Sequence, residues 1–176
     1  MDTGWIDRLA PRLEAALAAV PGTAVQRAAD MPVVELPAAH IFDAARTLRD
    51  DFGFVMLVDV TAVDWLGREP GRPRFDVVWH LRSLDAAERV RLKTRVDEAA
   101  PEVPSLVPLF GSAAFMEREC HEMFGIRFAG NADLRPILLY EGFAGHPLRK
   151  DYDIHHEQPL VPYRDGVAPP RSRGTP

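Results

Sequence analysis

The chain has 176 residues, 47% of them apolar and 27% charged, which suffices for one well-filled core and is short for two. Its 26 acidic and 21 basic residues are mixed along the length and give a formal charge of -5, so there is no basic stripe for neutralising phosphates and nucleic acid is a poor partner class. With Cys120 as the one cysteine, no intramolecular disulfide and no four-thiolate cluster site can form, and the apolar run Phe54 to Val58 falls far short of the roughly 20 residues that span a bilayer.

The N-terminal segment lacks a basic leader and interrupts its apolar spacing with Asp7, Arg8, Arg12 and Glu14. It reads as an amphipathic helix rather than an export signal, which places the chain in the cytoplasm. Trp5, Leu9, Leu13, Leu17 and Val20 supply the apolar stripe, and Pro11 either kinks this helix or starts its main segment. A weak strand is expected near Ala24 to Arg27, and another over Val33 to Leu36, between Pro32 and Pro37. Ile41, Ala45, Leu48 and Phe52 then mark a second helix with Gly53 as its stop. Phe54 to Val60 is apolar nearly throughout, the pattern of a strand covered on both faces, and it runs through Thr61 to Trp65 into the turn-rich GREPGRP.

Two strands follow, joined by SLDAAE as a hairpin with a modest loop. Phe75, Val77, Trp79 and Leu81 alternate with Asp76, Val78, His80 and Arg82, and Val90, Leu92 and Val96 alternate among Arg89, Arg91, Lys93 and Arg95. Each strand has one wet and one buried face, which favours antiparallel pairing. The expected fold is α+β, a mostly antiparallel sheet with helices on one face, followed by an extended proline-rich C-terminal arm.

Pro101, Pro104 and Pro108 space a connection to a third helix. In it Met116, Cys120, Met123 and Phe124 recur at helical spacing, while Glu117, Arg118, Glu119, His121 and Glu122 take the other faces. Ser112 is placed to cap its first turn, and Gly125 provides a left-handed stop. The chain then turns dense in proline, glycine, arginine and aspartate, yet still carries Leu134, Ile137, Leu138, Leu139, Tyr140, Phe143, Leu148 and Tyr152. Residues 1–128 are read as the globular domain, which should fold without the rest, 129–158 as an extended partner-binding arm, and 159–176 as a disordered tail. Ordering an extended residue costs about 1–2 kcal/mol of backbone entropy, and one layer laid on its own domain regains little of that. A second protein surface would offset the cost.

The chemistry-bearing residues have plain readings. The segment HEMFG at 121–125 lacks the second histidine at i+4 that a helical zinc site needs. A small metal-dependent enzyme using His121, His155 and His156 is the reading from a different class. Cys120 lies on the apolar stripe and is expected to be buried rather than nucleophilic. No nucleotide-binding glycine loop and no Ser/His/Asp order is present, and Asp59 and Asp64 suit structural use. Glu117, Arg118, Glu119 and Glu122 read either as a solvated face, with Arg118 and Glu122 paired at i,i+4, or as a cluster desolvated against a partner or against Arg135, Arg149 and Lys150. The second reading is preferred.

One stretch also carries a resemblance. E-R-E at 117–119, Glu122, Gly125, then D-L-R-x-I-L and E-G-F-x-G-H-P-L-R-K-D-Y resemble the signature of the C subunit of bacterial respiratory complex I, the proton-pumping NADH:quinone oxidoreductase. The likeness runs upstream through T-A-V-D-W, R-F-D-V-V-W-H-L, R-V-R-L-K and P-E-V-P-S, covering roughly residues 54–154. The chain departs from the family at Asn131 and Ala132, where the family usually has His-Pro. The resemblance implies a structural, cofactor-free subunit of the peripheral arm, on the cytoplasmic side of the membrane. Its partners would frame the quinone site and the last iron-sulfur cluster, and would hold the FMN and the iron-sulfur clusters that pass electrons from NADH to quinone. It also implies an interface made of Glu117, Arg118, Glu119, Glu122, Phe124, Arg135, Phe143, His146, Pro147, Leu148, Arg149, Lys150, Asp151 and Tyr152. The matching subunit of a membrane-bound nickel–iron hydrogenase is the nearest alternative, and a stand-alone assembly factor is a third.

Overall fold

The apolar stripes of the first two helices face one side of a five-stranded sheet. The computed structural model describes residues 4–155. Helix α1 (Gly4–Leu17) runs through Pro11 and buries Ile6, Leu9, Ala10, Leu13 and Leu17. Helix α2 (Ile41–Phe52) follows a short 3-10 turn at Ala38–His40 and buries Ile41, Ala44, Ala45 and Leu48. It stops at Gly53, whose φ of 72° lets its N–H reach the Leu48 carbonyl.

Strands β1 (Ala24–Arg27), β2 (Pro32–Glu35), β3 (Met56–Asp64), β4 (Phe75–Arg82) and β5 (Arg89–Val96) lie in the order β1-β2-β5-β4-β3. The β4–β5 hairpin forms as expected, with Trp79 opposite Leu92 and Val77 opposite Thr94 on the inner face, but the outer face of β4 is not wet along its length, because Asp76 and Val78 are buried too. The sheet is mixed, however, and not mostly antiparallel as the alternation suggested. β2 pairs parallel to β5, with Val34 opposite Leu92, because the chain leaves β2 through α2 and adds β3 and β4 before β5 returns alongside it. Alternation reports which face of a strand is buried and carries no information on the direction of its neighbour.

The reading of Phe54 to Val60 as covered on both faces is also corrected. β3 is an edge strand whose inner face buries Leu57, Val60 and Ala62 while Met56, Val58 and Val63 are exposed. Beyond β5, β6 (Glu102–Pro104) and β7 (Arg127–Ala129) form a separate parallel pair, joined at its margin by the Arg127–Glu102 contact. Between them lies helix α3 (Ala113–Phe124), which packs along β3 and sends Ala113, Cys120 and Phe124 into the same core as Phe75, Trp79 and Phe128. Residues 130–155 contain no helix or strand and return across α3. The expected tail at 159–176, and the last residues of the arm, lie outside the described residues.

Candidate partner interface

Helix α3 carries the run Glu117, Arg118, Glu119, His121 and Glu122, and all of these but Glu119 bond to the backbone of other segments. Glu117 is 0% exposed. Its carboxylate accepts from the Ser105 hydroxyl at 2.7 Å, the Leu106 N–H at 2.7 Å and the Asn131 amide at 3.0 Å. Burial still pushes its pKa above the ordinary glutamate value, against those hydrogen bonds. A buried carboxylate without such donors would be costly, so Glu117 fixes both the turn before α3 and the chain just after β7. Asn131, at the departure from the family pattern, thus meets the buried acid with a neutral amide.

About 100° further round the helix, Arg118 donates from Nε to the Arg135 carbonyl at 2.9 Å and from Nη2 to the Pro136 carbonyl at 2.8 Å. One turn on, Glu122 accepts the consecutive N–H groups of Ile137, Leu138 and Leu139 at 3.3, 2.9 and 2.9 Å. These three amides wrap a single carboxylate, an anion nest built from the segment LRPILL. The helix therefore acts as a template on which residues 131–139 are laid out. The i,i+4 pairing of Arg118 with Glu122 is replaced by bonds to this backbone. Of the preferred reading, desolvation against a partner or against Arg135, Arg149 and Lys150, the arginine part does not hold for Glu117 and Glu122, which amides and a hydroxyl of the chain meet instead.

The end of the helix is closed from far along the chain. The last turn of an α-helix leaves carbonyls without intrahelical donors. Gly125, with φ of 75°, turns its N–H back to the His121 carbonyl at 2.7 Å. The Glu122, Met123 and Phe124 carbonyls are met by His146 Nδ1 at 2.9 Å, the Leu148 N–H at 3.2 Å and Arg149 Nε at 2.6 Å. Because a carbonyl only accepts, His146 carries its proton on Nδ1, and the same holds for His121, whose Nδ1 lies 2.8 Å from the Ile126 carbonyl. Burial lowers the His146 pKa, reinforced by the Arg149 charge and opposed by the bond to the helix, which favours the neutral ring. A side chain at Gly125 would place its Cβ 2.5 Å from His146 Nε2 and against Arg149 Nη2. At the other end, Ser112 makes no capping bond with its side chain, contrary to expectation.

The returning chain is then clipped to the sheet. Arg74 is buried and forks onto Asp64, with Nη2–Oδ2 of 2.8 Å and Nε–Oδ1 of 3.1 Å. It also meets Asp151 at 2.6 and 3.0 Å and Glu98 at 2.5 Å. Asp64 additionally accepts the N–H of Lys150 at 2.8 Å and of Leu66 at 2.9 Å. Burial works to raise the Asp64 pKa, but the Arg74 bond and these two amides outweigh it and hold the carboxyl below its usual range. The Arg74 hydrogen bond does the same for Asp151. Both Arg74 and Arg149 lie over the buried Phe75 ring, at 5.0 and 5.3 Å from its centroid, and Phe143 stacks on Tyr152 at 6.1 Å.

The residues singled out from the sequence thus divide. Glu117, Arg118, Glu122, His146, Arg149 and Asp151 are joined in one internal framework, with Phe124 buried behind it and Phe143, Pro147 and Tyr152 half-buried. Glu119, Arg135, Leu148 and Lys150 face outward, Arg135 bonded to Asp133 at 2.8 Å. The segment that follows residue 128 completes the hydrogen bonding of α3. Sequence reasoning gave no role to Arg74 and Ser105, noted Asn131 only as a departure from the family pattern, and did not single out Phe115, which with Leu138 is 62% exposed beside the framework. A phenylalanine between Ala114 and Met116 at a polar-face position was the available signal for Phe115. A cavity of about 160 Å³ remains between α3 and the returning chain, walled by His121, Glu122, Leu139, Tyr140, Phe143 and His146. Among the described residues no cluster of His, Cys, Asp and Glu is arranged to hold a metal, and His156 lies outside them. Cys120 is buried, and burial raises its thiol pKa far above the ordinary value.

The fold and this template helix define a class of protein: an α+β scaffold whose signature helix organises the segment that follows it. The chain belongs to the family described as respiratory-chain NADH dehydrogenase, 30 Kd subunit, which it matches over residues 34–158. It is 46% identical over 135 residues to the C subunit of the NADH-quinone oxidoreductase of Paramagnetospirillum magneticum, an alignment that takes in 76% of this chain and 65% of that relative's length. Among solved structures it is similar to a trypsin-resistant fragment of Nqo5, with 33% identity, a TM-score of 0.62, and coverage of 72% of this chain and 99% of the fragment. It is also similar to a chain of the membrane-bound sulfane sulfur reductase, an archaeal respiratory membrane complex, with 25% identity, a TM-score of 0.70 and 88% of each chain covered.

Proposed function

We propose that this chain is a structural, cofactor-free subunit of the peripheral arm of an NADH:quinone oxidoreductase, seated on the cytoplasmic side of the membrane. Its neighbours would hold FMN and the iron-sulfur clusters and frame the quinone site, and this chain would keep them in register. The observation that carries the reading is how α3 is used. The residues of the family signature, Glu117, Arg118, Glu122, Gly125, His146 and Arg149, hold one another and the returning backbone, and this presents Phe115, Ile137, Leu138 and Leu148 outward. Exposed large apolar side chains on a rigid, fully hydrogen-bonded support are the makings of a protein interface. No helix among the described residues is long and apolar enough to cross a membrane, so contact with the bilayer would come through partners.

The relatives that carry the quinone name favour this reading over the hydrogenase subunit, while the likeness to the sulfane sulfur reductase chain fits a scaffold used in more than one respiratory assembly. The test is genetic. Membranes from cells lacking this chain should lose NADH-driven quinone reduction and recover it when the chain is restored. Unchanged quinone reduction without the chain would refute the proposal.

A further inference from the structure

The two edges of the five-stranded sheet are guarded differently. β1 is four residues long and exposes Gln26 and Arg27, whereas β3 is nine residues long and exposes Met56, Val58 and Val63. A long edge strand with outward apolar residues and neither lysine nor proline is a surface that free-standing proteins avoid. A bulge between Leu57 and Asp59 interrupts the ladder there, so this edge offers side chains rather than a regular template for an added strand. Val55 to Val58, Leu84 from the β4–β5 turn, the 109–112 turn and Met116 of α3 line a groove of about 560 Å³. Phe115 stands next to Met116 on the helix.

The rim of this groove is charged with one sign predominating. Asp59 follows Val58 on the strand, and Glu119 lies one helical turn from Phe115 on α3. Asp59 and Glu119 are both exposed, the first next to Val58 and the second three residues from Met116, two residues that line the groove. Asp85 adjoins Leu84 on the far side, and Arg82, paired across from Met56, is the basic residue at that end.

We propose that the β3–α3 groove seats a segment of a neighbouring subunit whose apolar side chains are flanked by lysine or arginine. This rests on the reading that the chain works inside a respiratory complex, and it adds a second docking face to the one beside Leu138. The apolar side chains would fill the groove, and the flanking cations would lie against Asp59 and Glu119, where the rim is wettest and most sensitive to salt.

The single buried cysteine makes a clean test possible. Val58→Cys, with Leu84→Cys as a second reporter, gives the full-length chain one reachable thiol. It should react with a maleimide in the free chain and lose that labelling in the purified complex. Asp59→Lys combined with Glu119→Lys should lower recovery of the chain in the complex while leaving the circular dichroism of the free chain unchanged, and Asp59→Glu should retain recovery. Equal labelling in both states, or normal assembly of the double lysine variant, would overturn the proposal. A disulfide-linked homodimer of the Val58→Cys chain, formed in the free state, would assign the face to a second copy and also overturn it. Failure of the unmodified chain to purify with any complex would instead strike at the functional reading itself.

Discussion

Replacing Arg74 with alanine tests whether the returning chain is clipped to the domain by one buried cation. The side chains of Arg74 and Asp64 are 5% and 1% exposed, whereas that of Asp151 is 49% exposed. Removing one partner of a buried pair leaves an uncompensated charge and costs about 3–5 kcal/mol. Asp64 would keep the Leu66 and Lys150 amides, which places the expected loss at the lower end of that range. Asp151→Ala removes a half-solvated partner and should cost about 1 kcal/mol or less. Arg74→Lys keeps the charge but not the fork and should fall between the two. Urea unfolding of the full-length chain, read as a shift in midpoint at constant slope, measures all three. If Asp151→Ala costs as much as Arg74→Ala, or Arg74→Ala is neutral, the clip is not organised around the arginine.

The same groups predict opposing pH responses. Asp64 and Asp151 have depressed pKa values when folded, so their contribution is whole above about pH 4 and is lost as pH falls through those depressed values. Glu117 is raised, so its contribution is whole below about pH 4 and is lost as pH rises through the raised value. Asp151→Asn should therefore lose less stability than the parent on acidification, and an unchanged acid profile would remove Asp151 from the account. Gly125→Ala places an L-residue in the left-handed region at about 1–2 kcal/mol from the backbone alone, and it should lose more because His146 and Arg149 must move off the helix end; a variant as stable as the parent would contradict the close packing. Glu122→Ala should open the 137–139 segment to proteolysis before the domain unfolds, with cleavage sites identified by mass spectrometry. Leu138→Asp should leave free-chain stability within about 0.5 kcal/mol yet reduce recovery in the complex, and full recovery would exclude that side chain from the interface.

Local rules made the helices and the hairpin legible. The stripe Ile41, Ala45, Leu48 and the stop at Gly53 follow from helical periodicity and from the freedom of glycine, and the two faces of β5 follow from alternation, whereas β4 is buried on both faces from Phe75 to Trp79. Periodicity could not give the parallel register of β2 on β5, nor show that β3 lies at an edge, because both depend on where distant strands meet. The candidate site was legible as a motif, but the groups its acids meet within the chain were not. Glu117 and Glu122 accept from amides 11 to 17 residues away, and Arg74 meets Asp151 across 77. The lack of helix or strand over residues 130–155 left their amides in need of partners, and sequence pattern could not reveal that α3 supplies them.

The most direct test of the account is the composition of what purifies with the tagged full-length chain from its native membranes. The account predicts a fixed-stoichiometry assembly containing flavin and iron-sulfur subunits that reduces quinone with NADH, together with a separated chain that carries no cofactor of its own. Recovery of the chain alone, or with a nickel-site subunit and no flavin subunit, would contradict it.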